Sequence, residues 1–278
     1  MLPSFLVVGP PRTGTTWLHE VLNRHAHLPH PTKETRFFDR HYERGLAWYL
    51  DHFPGACDER PYGEVAPTYF ASAAARSRIA QFLPEVKVVI IFRHPIERLV
   101  SLYRLKRAYG MLGWSLDQAL ERDPELIESS QYASHLSEWQ RSFPRQQLSV
   151  RLYEELGDDP QAFVDGVVDF VGISRFRLHE SQRAQVAATS HFTEPRSYLA
   201  TRAATAMADW CKARRLDNMV ASVRKSSLMR LFLGGGAPFP EIPPQTKRRI
   251  ASLVVPEIER LEEMLGRDLS GWKTMPDC

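Results

Sequence analysis

Phe5-Leu6-Val7-Val8-Gly9-Pro10-Pro11-Arg12-Thr13-Gly14-Thr15-Thr16-Trp17-Leu18 is the stretch on which the fold turns. Its first four residues form an unbroken apolar run rather than an alternating one, the pattern of a parallel strand covered on both faces. Beyond Gly14 the period changes. Trp17, Leu18, Val21 and Leu22 share one helical stripe, and His19, Glu20, Asn23 and Arg24 fall on the opposite face. Residues 9–16 therefore lie between a strand and a helix and have the GxxxxGxT outline of a phosphate-binding loop in the context such a loop requires. Wrapped around a helix N-terminus, this loop offers unpaired N–H groups and the positive end of the helix dipole to a single anion.

The same grammar recurs at residues 86–92, a β-branched run ending in Arg93-His94-Pro95, with Pro95 set for the first turn of a helix reaching about residue 109. Shorter strands are predicted at 62–65 and 148–152, the latter followed by Glu154-Glu155 and a turn at Gly157-Asp158-Asp159-Pro160. Strands alternating with helices predict an α/β fold: a central, mainly parallel sheet flanked by helices. From about residue 161 helix dominates, at 200–215 and 217–230. A loop through Gly234-Gly235-Gly236 and Pro243-Pro244 follows, then a last helix starting near Pro256 and ending at Gly266. With no repeat or long linker, residues 1–278 read as one domain with a helix-rich C-terminal part.

Composition narrows the partners. A net charge of +3 from 36 basic and 33 acidic residues is too even for the broad basic face of a nucleic-acid binder, so any anion site is local. Cys57, Cys211 and Cys278 are scattered and odd in number, which indicates neither a disulfide framework nor a zinc site and predicts a reducing, cytoplasmic setting. The apolar run at 5–8 is too short for a membrane span or a signal-peptide core. The loop also limits its own chemistry. A nucleoside-triphosphate enzyme carries Lys where Thr15 stands here, reaching the β- and γ-phosphates beside a magnesium ion. Arg12 supplies the cation instead, which suits a 5′-phosphate bearing one further anionic group, with no metal expected.

Pro11-Arg12-Thr13-Gly14-Thr15-Thr16-Trp17-Leu18 resembles the 5′-phosphosulfate loop of sulfotransferases, which use 3′-phosphoadenosine 5′-phosphosulfate (PAPS) and release 3′-phosphoadenosine 5′-phosphate (PAP). Arg93-His94-Pro95-Ile96-Glu97-Arg98-Leu99-Val100-Ser101-Leu102-Tyr103 is similar to that family's 3′-phosphate segment, R-x-P-x-x-R-x-x-S-x-Y. Lys33-Glu34-Thr35-Arg36-Phe37-Phe38-Asp39, with Gly45-Leu46-Ala47-Trp48-Tyr49 and Phe53-Pro54 after it, resembles the K-E-x-x-F-F-D stretch of the heparan-type and bacterial branch. Gly63-Glu64-Val65-Ala66-Pro67-Thr68-Tyr69-Phe70, Gln131 to Trp139 and the ending through Leu265-Gly266-Arg267-Asp268-Leu269 to Trp272 also have counterparts there; residues 189–244 match least.

The resemblance implies a P-loop-NTPase-like three-layer fold and an O-sulfotransferase moving a sulfuryl group from PAPS to a hydroxyl of a carbohydrate or natural-product acceptor. It implies donor contacts from Arg12, Thr13, Gly14, Thr15, Thr16, Trp17, Arg93 and Ser101. Arg12 also stabilises charge during transfer, and Glu34 is the general base, partly buried by Phe37, Phe38 and Trp48. Two departures stand out. Val65 occupies a position where the branch has Lys, and the later lysine- and glycine-rich loop is missing, leaving Arg224, Lys225 or residues 234–236 to replace it.

Other readings of these residues stay open. Glu34 is otherwise an exposed carboxylate paired with Lys33 or Arg36, and His30 or His41 is an alternative base. Trp17 lies either beneath the donor or in the core, Arg98 is equally a helix-surface residue, and Tyr132 with Trp139 marks a core face. Lys247-Arg248-Arg249 reads as a solvated helix start. Two rivals for the whole chain are a small-molecule kinase, which needs Lys at position 15 and an acidic magnesium site, and a non-catalytic nucleotide-binding module, which needs no Glu34.

Overall fold

Two apolar runs, β1 (Phe5–Val8) and β3 (Lys87–Phe92), form the middle of a parallel sheet. Their side chains alternate between two separate cores. Leu6, Val8, Val88, Ile90 and Phe92 face one; Phe5, Val7, Val89 and Ile91 face the other. In the computed structural model, which describes residues 2–53, 55, 59–187, 193–213 and 236–274, β2 (Gly63–Val65) flanks β1 and β4 (Leu148–Leu152) flanks β3. Among these residues the sheet order is β2-β1-β3-β4, all parallel, with Leu6 opposite Glu64, Val7 opposite Val89 and Ile90 opposite Val150.

Helices α1 (Thr15–Leu22), α2 (Gly45–Leu50), α3 (Ala73–Phe82), α4 (Pro95–Ala108), α5 (Leu116–Arg122), α6 (Glu125–Glu128) and α7 (Tyr132–Ser142) precede β4. After it come α8 (Tyr153–Asp158), α9 (Pro160–Val171), α10 (Glu180–Ala187), α11 (Tyr198–Ala213) and α12 (Pro244–Leu265). Leu18, Val21 and Leu22 of α1 join Phe163, Val164, Val167 and Val168 of α9 in one core. The other holds Ile96 and Leu99 of α4, Leu136 and Trp139 of α7 and an aromatic group on the β2 side. Helices thus cover both faces of the sheet. Because β1 is followed by a helix on one face and β3 by a helix on the other, their C-terminal ends open a crevice, the usual binding position in such sheets.

Three expectations need correction. The last helix begins at Pro244, not near Pro256, which sits inside it. A mid-helix proline costs about 3 kcal/mol, but Thr246, Ile250, Val254, Ile258 and Leu261 form one buried stripe across it. Full burial of Ile250 and Val254 alone is worth about 1.5–3 kcal/mol each, so the helix continues. Residues 153–158 are helical, and the turn contracts to Asp159. Its carboxylate accepts from the N–H groups of Gln161 and Ala162 at 3.0 and 3.1 Å, starting α9 with Pro160 in the first turn. Arg98 is not on the helix surface; it is fully buried. The expected helix at 217–230, with Arg224, Lys225, Gly234 and Gly235, lies outside the described residues.

Candidate functional site

The loop after β1 bends back on itself. Gly9, Arg12 and Gly14 all have positive φ, at 139°, 81° and 79°. At Gly9 a Cβ would lie 2.5 Å from the Ile91 carbonyl oxygen, and at Gly14 it would lie 2.9 Å from the Tyr153 ring, so both positions require glycine. Thr13 Oγ1 donates to the Pro10 carbonyl at 3.0 Å and closes the turn, and Gly14 leads into α1 with Thr15 first. Thr15 is buried and Thr16 is exposed. The N–H groups of the first turn of α1 are thereby gathered at the crevice between β1 and β3.

The second segment meets the loop directly: Arg12 Nε donates to Ser101 Oγ at 2.9 Å, and Arg93 Nη1 reaches the Arg12 carbonyl at 3.5 Å. Arg93 also donates through Nη2 to Glu97 at 2.9 Å and lies 4.8 Å from the centre of the Tyr153 ring. Its Nε is buried without a hydrogen-bond partner among the described residues. Burial first, and the neighbouring positive charge of Arg93 second, hold the Arg12 guanidinium below its ordinary value. Two guanidiniums that feel each other's charge, with Arg93 Nε left unpartnered among the described residues, suit a ligand carrying more than one anionic group.

Tyr132 from α7 donates to the Arg93 carbonyl at 3.0 Å and Trp139 is fully buried, so the core reading of that face holds and Tyr132 adds a tie to the site. Buried Arg98 donates to Ser130 Oγ at 2.6 Å and the Leu126 carbonyl at 3.1 Å, and reaches the Pro11 carbonyl at 3.5 Å. It fastens the loop to α6. Trp17 Nε1 donates to the Gln182 carbonyl at 2.8 Å, and the ring packs on the core shared with α9. Its packing role is therefore accounted for by α10.

Glu34 lies beside the loop through Lys33, whose ammonium donates to Thr16 Oγ1 at 3.3 Å and Glu34 Oε1 at 3.1 Å. Arg36 pairs with Asp39 instead, at 2.8 Å. His30 is exposed on a separate pocket with His27, Asp51 and His52, and His41 packs on Trp48. Val65 is buried beside Phe5 and Val7; a cation at Thr16 comes from Lys33, whose sequence position suggests only a pairing partner for Glu34. His19, placed on the polar face of α1, is half-buried, and burial followed by Lys33 pushes it down to about 4.

The aromatic shield expected around Glu34 surrounds a different carboxylate. Phe37 stacks on Tyr49 at 4.8 Å and Phe38 meets Tyr69 edge-on at 5.6 Å, whereas the Glu34 side chain keeps 23% exposure. Glu64, fully buried in β2, accepts from the Thr35 N–H at 2.7 Å, Thr35 Oγ1 at 2.8 Å, Tyr49 at 3.0 Å and Tyr69 at 3.2 Å. Burial, the largest influence, pushes Glu64 up to about 7 against the lowering effect of its hydrogen bonds, with Glu34 adding a smaller upward push. The folded state thus holds this proton more tightly than the unfolded chain. Stability conferred by the protonated group is lost as pH rises from about 4.5 to about 7, by up to about 1.4 kcal/mol per pH step of one. Glu64→Gln should flatten this dependence, so thermal melts from pH 4.5 to 7.5 should show the wild type losing Tm relative to the variant. Parallel curves would refute the assignment.

Fold, loop and crevice place the chain in the P-loop-like α/β class. The sulfotransferase domain family model matches residues 2–220, and the chain belongs to that family. It is 32% identical over 198 residues to the bifunctional heparan sulfate N-deacetylase/N-sulfotransferase 2 of Bos taurus, covering 63% of this chain and 22% of that protein. To the heparan sulfate glucosamine 3-O-sulfotransferase 6 of Homo sapiens it is 29% identical over 282 residues, covering 97% and 73%. The crystal structure of a sulfotransferase from Alicyclobacillus acidocaldarius superposes with a TM-score of 0.70 over 98% of this chain and 99% of that one, at 21% identity, and shares the fold. Among the described residues no helix is long and apolar enough to cross a membrane.

Proposed function

We propose that this protein transfers a sulfuryl group from PAPS to a hydroxyl of a carbohydrate acceptor, acting as one catalytic unit. The observation that carries this is the 2.9 Å bond between Arg12 and Ser101, which joins the two strand-end segments into one anion-binding crevice. In this assignment the α1 N-terminus, Arg12, Thr13, Gly14, Thr15 and Thr16 hold the 5′-phosphosulfate end, and Arg93 and Ser101 hold the 3′-phosphate. The acceptor oxygen bonds to sulfur as the bond from sulfur to the 5′-phosphate oxygen breaks, and the acceptor proton passes to Glu34. Negative charge growing on the departing phosphate is met by the loop N–H groups, Arg12 and Lys33.

A carbohydrate acceptor is supported by the relatives named for heparan sulfate; a natural-product hydroxyl is the second class to test. The cytoplasmic setting is supported by the scattered cysteines, of which Cys211 is a buried free thiol. The test is incubation with labelled PAPS and a panel of desulfated heparan oligosaccharides, other sugars and natural-product alcohols. Label should appear on a sugar hydroxyl with release of PAP; no label on any acceptor overturns the assignment. Magnesium-dependent ATP turnover would favour the kinase instead.

A further inference from the structure

We infer that Glu64 is the positioning residue for Glu34: from the central sheet it grips the peptide group that follows Glu34 and so fixes the base beside the phosphate loop. The inference rests on the base assignment made above. The segment carrying Glu34 is not part of the sheet or of a long helix; residues 32–36 precede one short turn of helix at Phe37–His41. Something else must hold it.

Glu64 Oε1 accepts both the Thr35 N–H and Thr35 Oγ1, and the first of these groups belongs to the peptide bond linking Glu34 to Thr35. Thr35 Oγ1 in turn accepts the Phe37 N–H at 3.1 Å, and Thr32 Oγ1 donates to the Glu34 carbonyl at 3.0 Å. The other oxygen, Oε2, accepts Tyr49 and Tyr69. Among the described residues, every donor to this carboxyl comes from the segment or from the aromatic core beneath it. None comes from solvent, since Glu64 is fully buried.

The reference point is equally defined. Glu64 stands opposite Leu6 in the β1–β2 register, and three residues beyond Leu6 the phosphate loop begins at Gly9. One strand pair therefore sets both the anion site and the base. A displacement of about 1 Å at a reacting group costs up to roughly 100-fold in rate, so a rigid anchor for a short irregular segment has a large kinetic value. Glu64 itself touches neither donor nor acceptor in this arrangement. It acts through Thr35.

The test compares Glu64→Leu, which is similar in size but offers no acceptor, with Glu64→Gln, whose carbonyl keeps both Thr35 bonds and whose amide donates to a tyrosine oxygen. On the acceptor that the wild type sulfates best, Glu64→Leu should lower kcat about 10- to 100-fold. Its PAP affinity by calorimetry should stay within about twofold, and Glu64→Gln should restore kcat to within about threefold of wild type. Unchanged kcat in a folded Glu64→Leu overturns the inference. So does a parallel loss of kcat, PAP affinity and Tm that Gln does not rescue, which would mark a purely structural role. If Glu64→Leu does not fold, Thr35→Val decides in the same way, with a several-fold loss of kcat at constant PAP affinity expected and unchanged kcat overturning it. Full activity in Glu34→Ala would instead remove the base assignment, a separate failure.

Discussion

Replacing Glu34 with Ala or Gln should lower kcat about 10²- to 10⁴-fold while leaving PAP affinity and thermal stability close to wild type. The separation of effects follows from how the side chain is held. Glu34 is partly exposed and its ion pair with Lys33 at 3.1 Å is equally open, at 25% (Lys33) and 23% (Glu34) side-chain exposure. Pairs of that kind contribute about 0–1 kcal/mol to stability, so Tm should barely move. The kinetic loss is larger by several kcal/mol, because a positioned base removes a proton that water would otherwise have to accept. Gln is the more informative variant. It can still accept from Lys33 but binds no proton, so a defect in Gln equal to that in Ala identifies proton transfer rather than charge pairing. His30→Ala and His41→Ala should retain activity. An unaffected kcat in Glu34→Gln, or a histidine variant that loses turnover, would remove Glu34 as the base.

What could be seen in the sequence was local. The run Phe5-Leu6-Val7-Val8 followed by Gly9 and Gly14 announces strand, loop and helix because chain neighbours alone determine that geometry, and the 86–95 stretch repeats it. The pairing of Arg12 with Ser101 was legible only as two motifs side by side, since 89 positions separate them and sheet order brings them together. Arg98 and Glu64 were hidden for a different reason. Each is a charged residue that polarity alone places at the surface, and each is buried because partners from distant segments satisfy it: Ser130 and Leu126 for Arg98, Thr35 and two tyrosines for Glu64. The aromatic residues near Glu34 point to the wrong carboxylate for the same reason. Adjacency in sequence pointed to Glu34, whereas Phe37 and Phe38 turn into the core beside Glu64. Pro256 misled in the opposite direction, a strong local signal outweighed by a buried stripe running through it.

Arg93→Ala should weaken PAP binding by about 10- to 150-fold for each charge-assisted hydrogen bond lost, such bonds being worth about 1.5–3 kcal/mol. The wild-type guanidinium is engaged by Glu97 through one arm and reaches the Arg12 carbonyl with the other, while its Nε is buried without a hydrogen-bond partner among the described residues. An orphaned donor is costly in the folded chain, and a 3′-phosphate arriving against it both forms a bond and removes that cost. The stability change should be small by comparison, because the Arg93–Glu97 pair, with side chains 22% and 37% exposed, joins the strand end to the first turn of α4 and is of the partly open kind worth about 0–1 kcal/mol. Arg93→Lys keeps the charge but not the fork, and should recover only part of the affinity. The decisive comparison uses adenosine 5′-phosphosulfate, which lacks the 3′-phosphate. The wild type should prefer PAPS strongly, and Arg93→Ala should erase most of that preference by weakening PAPS alone, whereas damage to the loop at Arg12 should weaken both donors together. Equal losses for the two donors in Arg93→Ala would place the 3′-phosphate elsewhere, and an undiminished PAP affinity would dismantle the two-ended grip on which the donor assignment stands.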